Sequence, residues 1–298
     1  MFRRRDQLIT SEAMISNSRE FQFTEADFEK IRKMIYDYAG IALAPSKQDM
    51  VYGRLAKRLR ALNLHTFNDY LHVLSRGDSK EFELFTNSLT TNLTSFFREA
   101  HHFPILAEHL KKVRNSSVGG MNVWCSASST GEEPYTIAIT ACEAFDTLRP
   151  PVKIVATDLD TNVLEVAKTG IYNGEEVQKL GPARVSRFFD KQADGRTYRV
   201  KQELRDMITF RKLNLIETSW LIRGPFDAIF CRNVMIYFDK PTQLKILQRF
   251  APLMKSDGLL FVGHSENLYH AADYFRLQGK TVYELVKPAG AAVPPRGY

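Results

Sequence analysis

The residues best suited to chemistry sit in one short stretch. Ala127-Ser-Ser-Thr-Gly131 follows an apolar run and is followed by Glu132-Glu133-Pro134, which opens a helical pattern. Small residues let a backbone come close to a ligand, and a helix N-terminus offers unpaired N–H donors. Asp158 ends the next apolar run, 27 residues after Gly131. An acidic side chain at the end of a second parallel strand can accept hydrogen bonds from both ribose hydroxyls of a nucleoside.

The loop is not the GxGxxG of a dinucleotide site. Carboxylates at its mouth, Glu132 and Glu133, would repel a pyrophosphate and suit a cation. A sulfonium with an α-amino group is such a ligand, so the pattern favours S-adenosylmethionine over NAD. The blander reading is that the two glutamates only complement the positive end of the helix dipole. Cys231 has no base partner in the sequence and reads as a small buried residue, not a nucleophile. His101, His102 and His109 lack the order and companions of a metal motif, and His264 fits a backbone contact at a strand end; no metal is expected. Cys125, Cys142 and Cys231 form no CxxC pair, which argues against a disulfide framework or a cysteine zinc site.

Two kinds of element must position these residues. Up to about residue 120 the pattern is helical. Thr24 is a suitable N-cap, with Asp27 adding acidic character to the first turn. Phe28, Ile31, Ile35 and Tyr38 recur at helical spacing until Gly40. A second helix opens at Pro45-Ser46 with the stripe Val51, Leu55, Leu59 and Leu62. A third spans about Thr66–Ser75. A fourth, about Lys80–Thr90, carries Phe82, Phe85 and Leu89. After Gly119-Gly120, apolar runs alternate with helices, as in a parallel α/β sheet. Strands are expected at Asn122–Ala127, Lys153–Thr157, Ile208–Asn214, Phe226–Cys231 and Leu259–Gly263. Helices are expected at Glu132–Phe145, Val163–Lys168 and about Pro241–Met254, and a closing hairpin around Gly279-Lys280. Residues 170–207 are too long for a compact connection. They read as an inserted small helix plus antiparallel strands around Asp194-Gly195.

The chain has 298 residues, room for about two domains, and a net charge of +7. That charge suits an acidic or polyanionic partner. The basic start has no apolar stretch behind it, so no secretory signal is expected. No apolar run approaches the ~20 residues of a membrane helix. A cytoplasmic setting without membrane insertion is expected. In the second helix, Lys47, Arg54, Lys57, Arg58 and Arg60 against Asp49 leave a local charge of +4. Either this is a solvated basic face or it meets an acidic partner. No aromatic-interleaved basic tract or zinc module suggests nucleic acid.

Four segments are long and distinctive: Thr90-Thr-Asn-Leu-Thr-Ser-Phe-Phe-Arg-Glu-Ala-His-His-Phe-Pro104, Ser129-Thr-Gly-Glu-Glu-Pro-Tyr135, Phe226-Asp-Ala-Ile-Phe-Cys-Arg-Asn-Val-Met-Ile-Tyr-Phe238 and Gly263-His-Ser-Glu266. In order and spacing, over about residues 24–287, the chain closely resembles the chemotaxis receptor methyltransferase family, the CheR type. The resemblance implies a class I S-adenosylmethionine-dependent methyltransferase: an α/β, Rossmann-like mixed sheet with an N-terminal helical domain and an inserted antiparallel β-subdomain. The domains expected are a flexible N-terminus (1–18), a helical substrate-recognition domain (19–95) and a linker with a connecting helix (96–118). A methyltransferase domain (119–287, with the β-subdomain at 170–207) and a disordered tail (288–298) follow.

The resemblance also implies roles. Asn92, Thr94 and Arg98 match the linker segment that reaches the cofactor; Arg98 could clamp the methionyl carboxylate or the incoming glutamate. Ala127, Glu132 and Glu133 belong to the cofactor loop, without a choice between the two glutamates. Asp158 matches the ribose acid, Asn214-Leu215 the adenine-edge pair, and Cys231-Arg232 line the cofactor. Tyr237 matches the tyrosine facing the transferred methyl, against a packing alternative. Arg54, Lys57 and Arg58 are the expected substrate contacts. The implied reaction is methyl transfer to glutamate side chains of the cytoplasmic helical domain of chemoreceptors, giving methyl esters for sensory adaptation and S-adenosylhomocysteine as product. Two competing readings are an S-adenosylmethionine enzyme acting on RNA or a small molecule, and a non-catalytic cofactor sensor. In part of the family the β-subdomain takes up a receptor C-terminal peptide through a glycine-rich loop. Here the loop is Asp190-Lys-Gln-Ala-Asp-Gly-Arg196, so no tight pentapeptide tether is expected.

Overall fold

The structure is a computed structural model that describes residues 19–115, 117 and 119–286. The expectations for 1–18 and 288–298 lie outside the described residues. The chain divides into two compact units, one of residues up to 37 with 43–89, the other of 38–42 with 90 onward.

The first unit is helical: α1 (Glu25–Ala39), α2 (Gln48–Ala61), α3 (Phe67–Ser75) and α4 (Ser79–Leu89), with a 3-10 turn at Pro45–Lys47 before α2. Thr24 caps α1, and Asp27 does more than oppose the dipole. Its carboxylate accepts from the Thr24 N–H at 3.0 Å while the Thr24 hydroxyl accepts from the Asp27 N–H at 3.1 Å, a reciprocal cap. Phe28, Ile31, Ile35, Val51, Leu55, Leu59, Phe67, Phe85 and Leu89 are buried. Leu62 is exposed, because α2 ends at Ala61 and the apolar stripe stops with it. One polar network lies inside this unit. Arg58 donates through Nε and Nη2 to the two oxygens of Glu81, at 3.0 and 2.6 Å, and the Tyr70 hydroxyl donates to Glu81 at 2.9 Å.

The second unit runs α5 (His102–Val113), β1 (Met121–Cys125), α6 (Glu132–Ala144), β2 (Val152–Asp158), α7 (Thr161–Thr169), β3 (Ile171–Asn173), α8 (Gly174–Gln178), α9 (Pro182–Phe188), β4 (Phe189–Lys191), β5 (Thr197–Val200), α10 (Gln202–Asp206), β6 (Ile208–Lys212), β7 (Phe226–Cys231), α11 (Lys240–Phe250), β8 (Met254–Val262), β9 (Phe275–Gly279) and β10 (Val282–Leu285). Seven strands form one sheet in the order β6-β2-β1-β7-β8-β10-β9. The first five run parallel; β10 is antiparallel to both β8 and β9, so β9 runs with the first five. Side chains alternate across the sheet. Val123, Ile154 and Phe230 pack toward α5 and α6, whereas Trp124, Phe226, Ile229 and Leu260 pack toward α11.

β3, β5 and β4 form a separate antiparallel sheet. The insertion holds three short helices where one was expected. α8 and α9 are each too short to show a helical period, and α10 follows the last strand directly. α11 stops at Phe250 and β8 starts at Met254, earlier than the apolar run Leu259–Gly263 suggests. The polar Lys255-Ser-Asp portion hides the start of the strand.

Candidate active site

The carboxyl ends of β1, β2 and β7 meet where the strand order reverses, between β1 and β7, the place where an open α/β sheet forms its ligand crevice. The loop after β1 is hung from both neighbours: Ser126 N–H donates to the Phe230 carbonyl and Ser128 N–H to the Thr157 carbonyl, both at 2.8 Å. Gly131 has φ 102°, and a Cβ there would lie 2.6 Å from the Tyr172 hydroxyl and 2.9 Å from the Ala167 Cβ. Only glycine fits this turn into α6. Ala127 is half-exposed on the loop.

Asp158 accepts from the Ser129 N–H at 2.8 Å and the Asp160 N–H at 3.0 Å. Burial pushes its carboxyl up to about 6, against those hydrogen bonds. Asp160 is buried and caps α7 through the Asn162 N–H; its other oxygen accepts from Asn92 Nδ2 at 2.7 Å and the Thr90 hydroxyl at 3.0 Å. The Ser129 hydroxyl donates to the Asn92 carbonyl at 3.0 Å. Asn92 is thus fixed through its carbonyl to the loop after β1 and through its side chain to the start of α7. Thr94 is half-exposed further along the same segment.

The two glutamates part company. Glu132 accepts from the Thr130 hydroxyl at 2.7 Å, and its charge is felt by Tyr172 of the inserted module. Glu133 turns to the ends of β1 and β7. It accepts from Arg232 Nη1 at 2.7 Å and from the Cys125 thiol at 3.2 Å. Burial raises both carboxyls. Cys231 is fully buried and its thiol is pushed up by desolvation, which suits a lining residue and not a nucleophile. Asn214 is buried, donates to the Tyr38 carbonyl at 2.6 Å and accepts from the Ile216 N–H; Leu215 beside it is buried.

Arg98 is half-exposed and donates through Nη1 to the Leu93 carbonyl at 2.8 Å. Tyr237 is half-exposed in the 3-10 turn Met235–Tyr237 after β7. Arg54, Lys57 and Arg58 lie in the other unit, on α2. Arg58 is committed to Glu81, Arg54 donates to the Leu89 carbonyl at 3.0 Å, and Lys57 is exposed.

Three residues that the sequence marked only inside longer segments, Glu99, Asn233 and Glu266, organise this region. Glu99 accepts from His264 Nδ1 at 2.9 Å and Asn233 Nδ2 at 3.2 Å, with Arg232 at 3.4 Å. Although burial opposes its ionisation, these partners hold Glu99 down to about 2. Glu266 is buried and accepts from the N–H groups of Gly263, Asn233 and Ile236. Donor atoms of Glu99, His101 and His102 lie within 4.8 Å of one another. The Arg232 guanidinium already supplies the cation for that carboxylate, and His102 is tied through Nε2 to the Lys280 carbonyl at 2.9 Å.

A nucleoside sulfonium fits these residues. The crevice has an acid at the end of β2, a second carboxylate aimed at the switch point, and a left-handed glycine at the loop. The buried Ser128 hydroxyl has no hydrogen-bond partner among the described residues. Sheet order, crevice and residues define a class I S-adenosylmethionine-dependent methyltransferase.

Residues 92–284 match the family described as CheR methyltransferase, SAM binding domain, and residues 26–90 match CheR methyltransferase, all-alpha domain. The chain is 50% identical over 278 residues to the chemotaxis protein methyltransferase of Klebsiella aerogenes, covering 92% of this chain and 94% of that one. It is 49% identical over 277 residues to the protein of the same name from Escherichia coli K12, covering 92% and 96%. It is 48% identical over 271 residues to chemotaxis protein methyltransferase 2 of Pseudomonas aeruginosa, covering 90% and 96%. The chain belongs to the CheR methyltransferase family, and its cofactor is S-adenosylmethionine.

Proposed function

We propose that this protein transfers a methyl group from S-adenosylmethionine to glutamate side chains in the helical cytoplasmic domain of chemoreceptors, forming methyl esters. The observation that carries the reading is Arg98. It is a half-exposed guanidinium whose charge no carboxylate of the site takes up among the described residues, whereas Arg232 at the end of β7 is buried and paired with Glu133 and Glu99. A carboxylate acceptor needs such a cation for orientation.

Bound in the crevice, the cofactor supplies an electrophilic methyl on sulfonium sulfur. Asp158 accepts the ribose hydroxyls, and Glu133, fixed by Arg232, faces the cationic amino group. Asn214 and Leu215 flank the adenine edge, while Asn92, Thr94, Ala127 and Cys231 line the rest. A glutamate side chain has a solution pKa near ~4.3, so it arrives ionised and no general base is required. Arg98 orients that carboxylate without needing to activate it, and Tyr237 packs beside it. Alignment and removal of water then lower the barrier. Arg54 and Lys57 of α2 meet the acidic receptor helix.

The test is incubation of the full chain with methyl-labelled cofactor and receptor. Label released from receptor as methanol by mild base supports a glutamate ester. Base-stable label, or label on RNA in a parallel incubation, would overturn the acceptor assignment.

A further inference from the structure

We propose that Glu99 is a positioning residue that sets both Arg98 and the turn bearing Tyr237; this rests on the function proposed above. Two neighbours of the transferred group's expected path are held by strained backbone. Phe97 has φ 53° and Glu99 φ 52°, on either side of Arg98, and Asn233 has φ 59° just beyond β7. Non-glycine residues stay in this left-handed region only where their surroundings over-determine it.

The surroundings do so here. The Phe97 N–H donates to the Thr136 hydroxyl at 3.1 Å. The Arg98 carbonyl accepts from Arg232 Nη2. The Glu99 carboxylate reaches across to the ends of two strands, taking Asn233 Nδ2 after β7 and His264 Nδ1 after β8, while its other oxygen faces Arg232. Asn233 is gripped on its opposite side by Glu266, which also takes the Ile236 N–H and so holds the start of the Met235–Tyr237 turn. Glu99 thus ties the Arg98 segment to the turn carrying Tyr237 through Asn233, alongside Arg232, which holds the Arg98 carbonyl directly. Arg232, in turn, joins Glu99 to Glu133. Cofactor contacts and acceptor contacts are separable in this arrangement. Glu133, Asp158 and the loop can remain in place while Arg98 and Tyr237 lose their relative spacing.

Glu99→Ala in the full chain is expected to lower kcat about 100-fold, the effect of a displacement near 1 Å at a reacting centre. The Kd for S-adenosylhomocysteine by calorimetry should remain within about twofold, because the cofactor contacts stay in place, and the KM for receptor should rise far less than kcat falls, because the α2 cations supply most of that attraction. Amide hydrogen exchange should accelerate in segments 96–99 and 233–237 and not in 126–131. Glu99→Gln keeps an acceptor for Asn233 but loses the charge facing Arg232 and His264. It should recover part of kcat and most of the exchange protection. If Glu99→Ala fails to fold, Glu99→Gln and exchange at the same segments decide. Unchanged kcat and exchange in a folded variant would overturn the proposal. So would a loss of product affinity in step with kcat, which would make Glu99 a cofactor contact. The exchange readout is independent of acceptor identity, so an error about the receptor substrate would leave this test intact.

Discussion

Asp158, proposed here to bind the ribose, carries a cost to the fold. Its carboxyl moves from 3.8 toward about 6 on folding because burial disfavours the charge. The native chain then holds a proton that the unfolded chain has released, so stability falls as pH rises between about 4 and 6 and is level above that window. Thermal unfolding of Asp158→Asn should lack this component. Cofactor binding has the opposite dependence. The ionised carboxylate is the better acceptor for two ribose hydroxyls, so affinity for S-adenosylhomocysteine should weaken as pH is lowered through about 6. Asp158→Ala should cost roughly 1–3 kcal/mol of that affinity, the worth of charged hydrogen bonds. Calorimetry giving wild-type affinity for the folded variant would place the ribose elsewhere. Asp158 was legible in the sequence because an acid ending an apolar run has a local signature. Glu99 has none. Its partner Asn233 lies 134 residues away, and only the folded sheet brings the two strand ends together.

The same contrast holds for whole elements. Helical spacing on α2 sorts its cations by face, yet spacing does not say what stands opposite. Arg58 appeared equivalent to Arg54 as a substrate contact, but Glu81 of α4, with Tyr70 behind it, occupies its guanidinium. Burial and this paired charge raise different expectations for neighbouring residues. Arg58→Ala leaves the Glu81 carboxylate buried and uncompensated and should destabilise the protein by roughly 3 kcal/mol, read as a lowered Tm. Lys57→Ala, at an exposed position, should stay within about 0.5 kcal/mol while raising the KM for receptor. A Tm unchanged by Arg58→Ala would mean that the pair contributes little. The parallel strands were legible as buried apolar runs, and the insertion by its length and its Asp194-Gly195 turn. One small helix was expected there against the three observed, since five to seven residues hold too few turns for a period to show. In the same insertion, Asp194 fastens the β4–β5 turn, accepting from the N–H groups of Arg196 and Thr197 and from the Thr197 hydroxyl. Gly195 sits at φ 69° within it. A turn closed on itself in this way offers a peptide strand little slack. Titration with a receptor C-terminal pentapeptide should therefore give no dissociation constant in the micromolar range; one that disappears on shortening 192–196 would show that the edge does bind it.

At the scale of the molecule, charge separates the two binding events. The chain carries +7 overall, and the exposed cations Lys47, Lys57 and Arg60 lie on or beside α2. Arg60 is already engaged by Glu20 at the surface, so its field is partly cancelled. Attraction between such exposed cations and an acidic receptor helix acts through water and is screened over about 8–10 Å at physiological salt. Glu133 and Asp158, the carboxylates proposed to hold the cofactor, sit within the crevice, where mobile ions screen less. Raising salt should therefore increase the KM for receptor steeply and leave the affinity for S-adenosylhomocysteine nearly flat. Lys57→Ala should flatten the receptor dependence, because the variant has less attraction to lose. The measurement is kcat/KM for receptor across a salt series, paired with product calorimetry under the same conditions. A receptor KM that does not respond to salt would mean that recognition rests on apolar contact and shape. Parallel weakening of both ligands would instead indicate that salt acts on the fold itself, which unfolding curves in the same buffers would reveal.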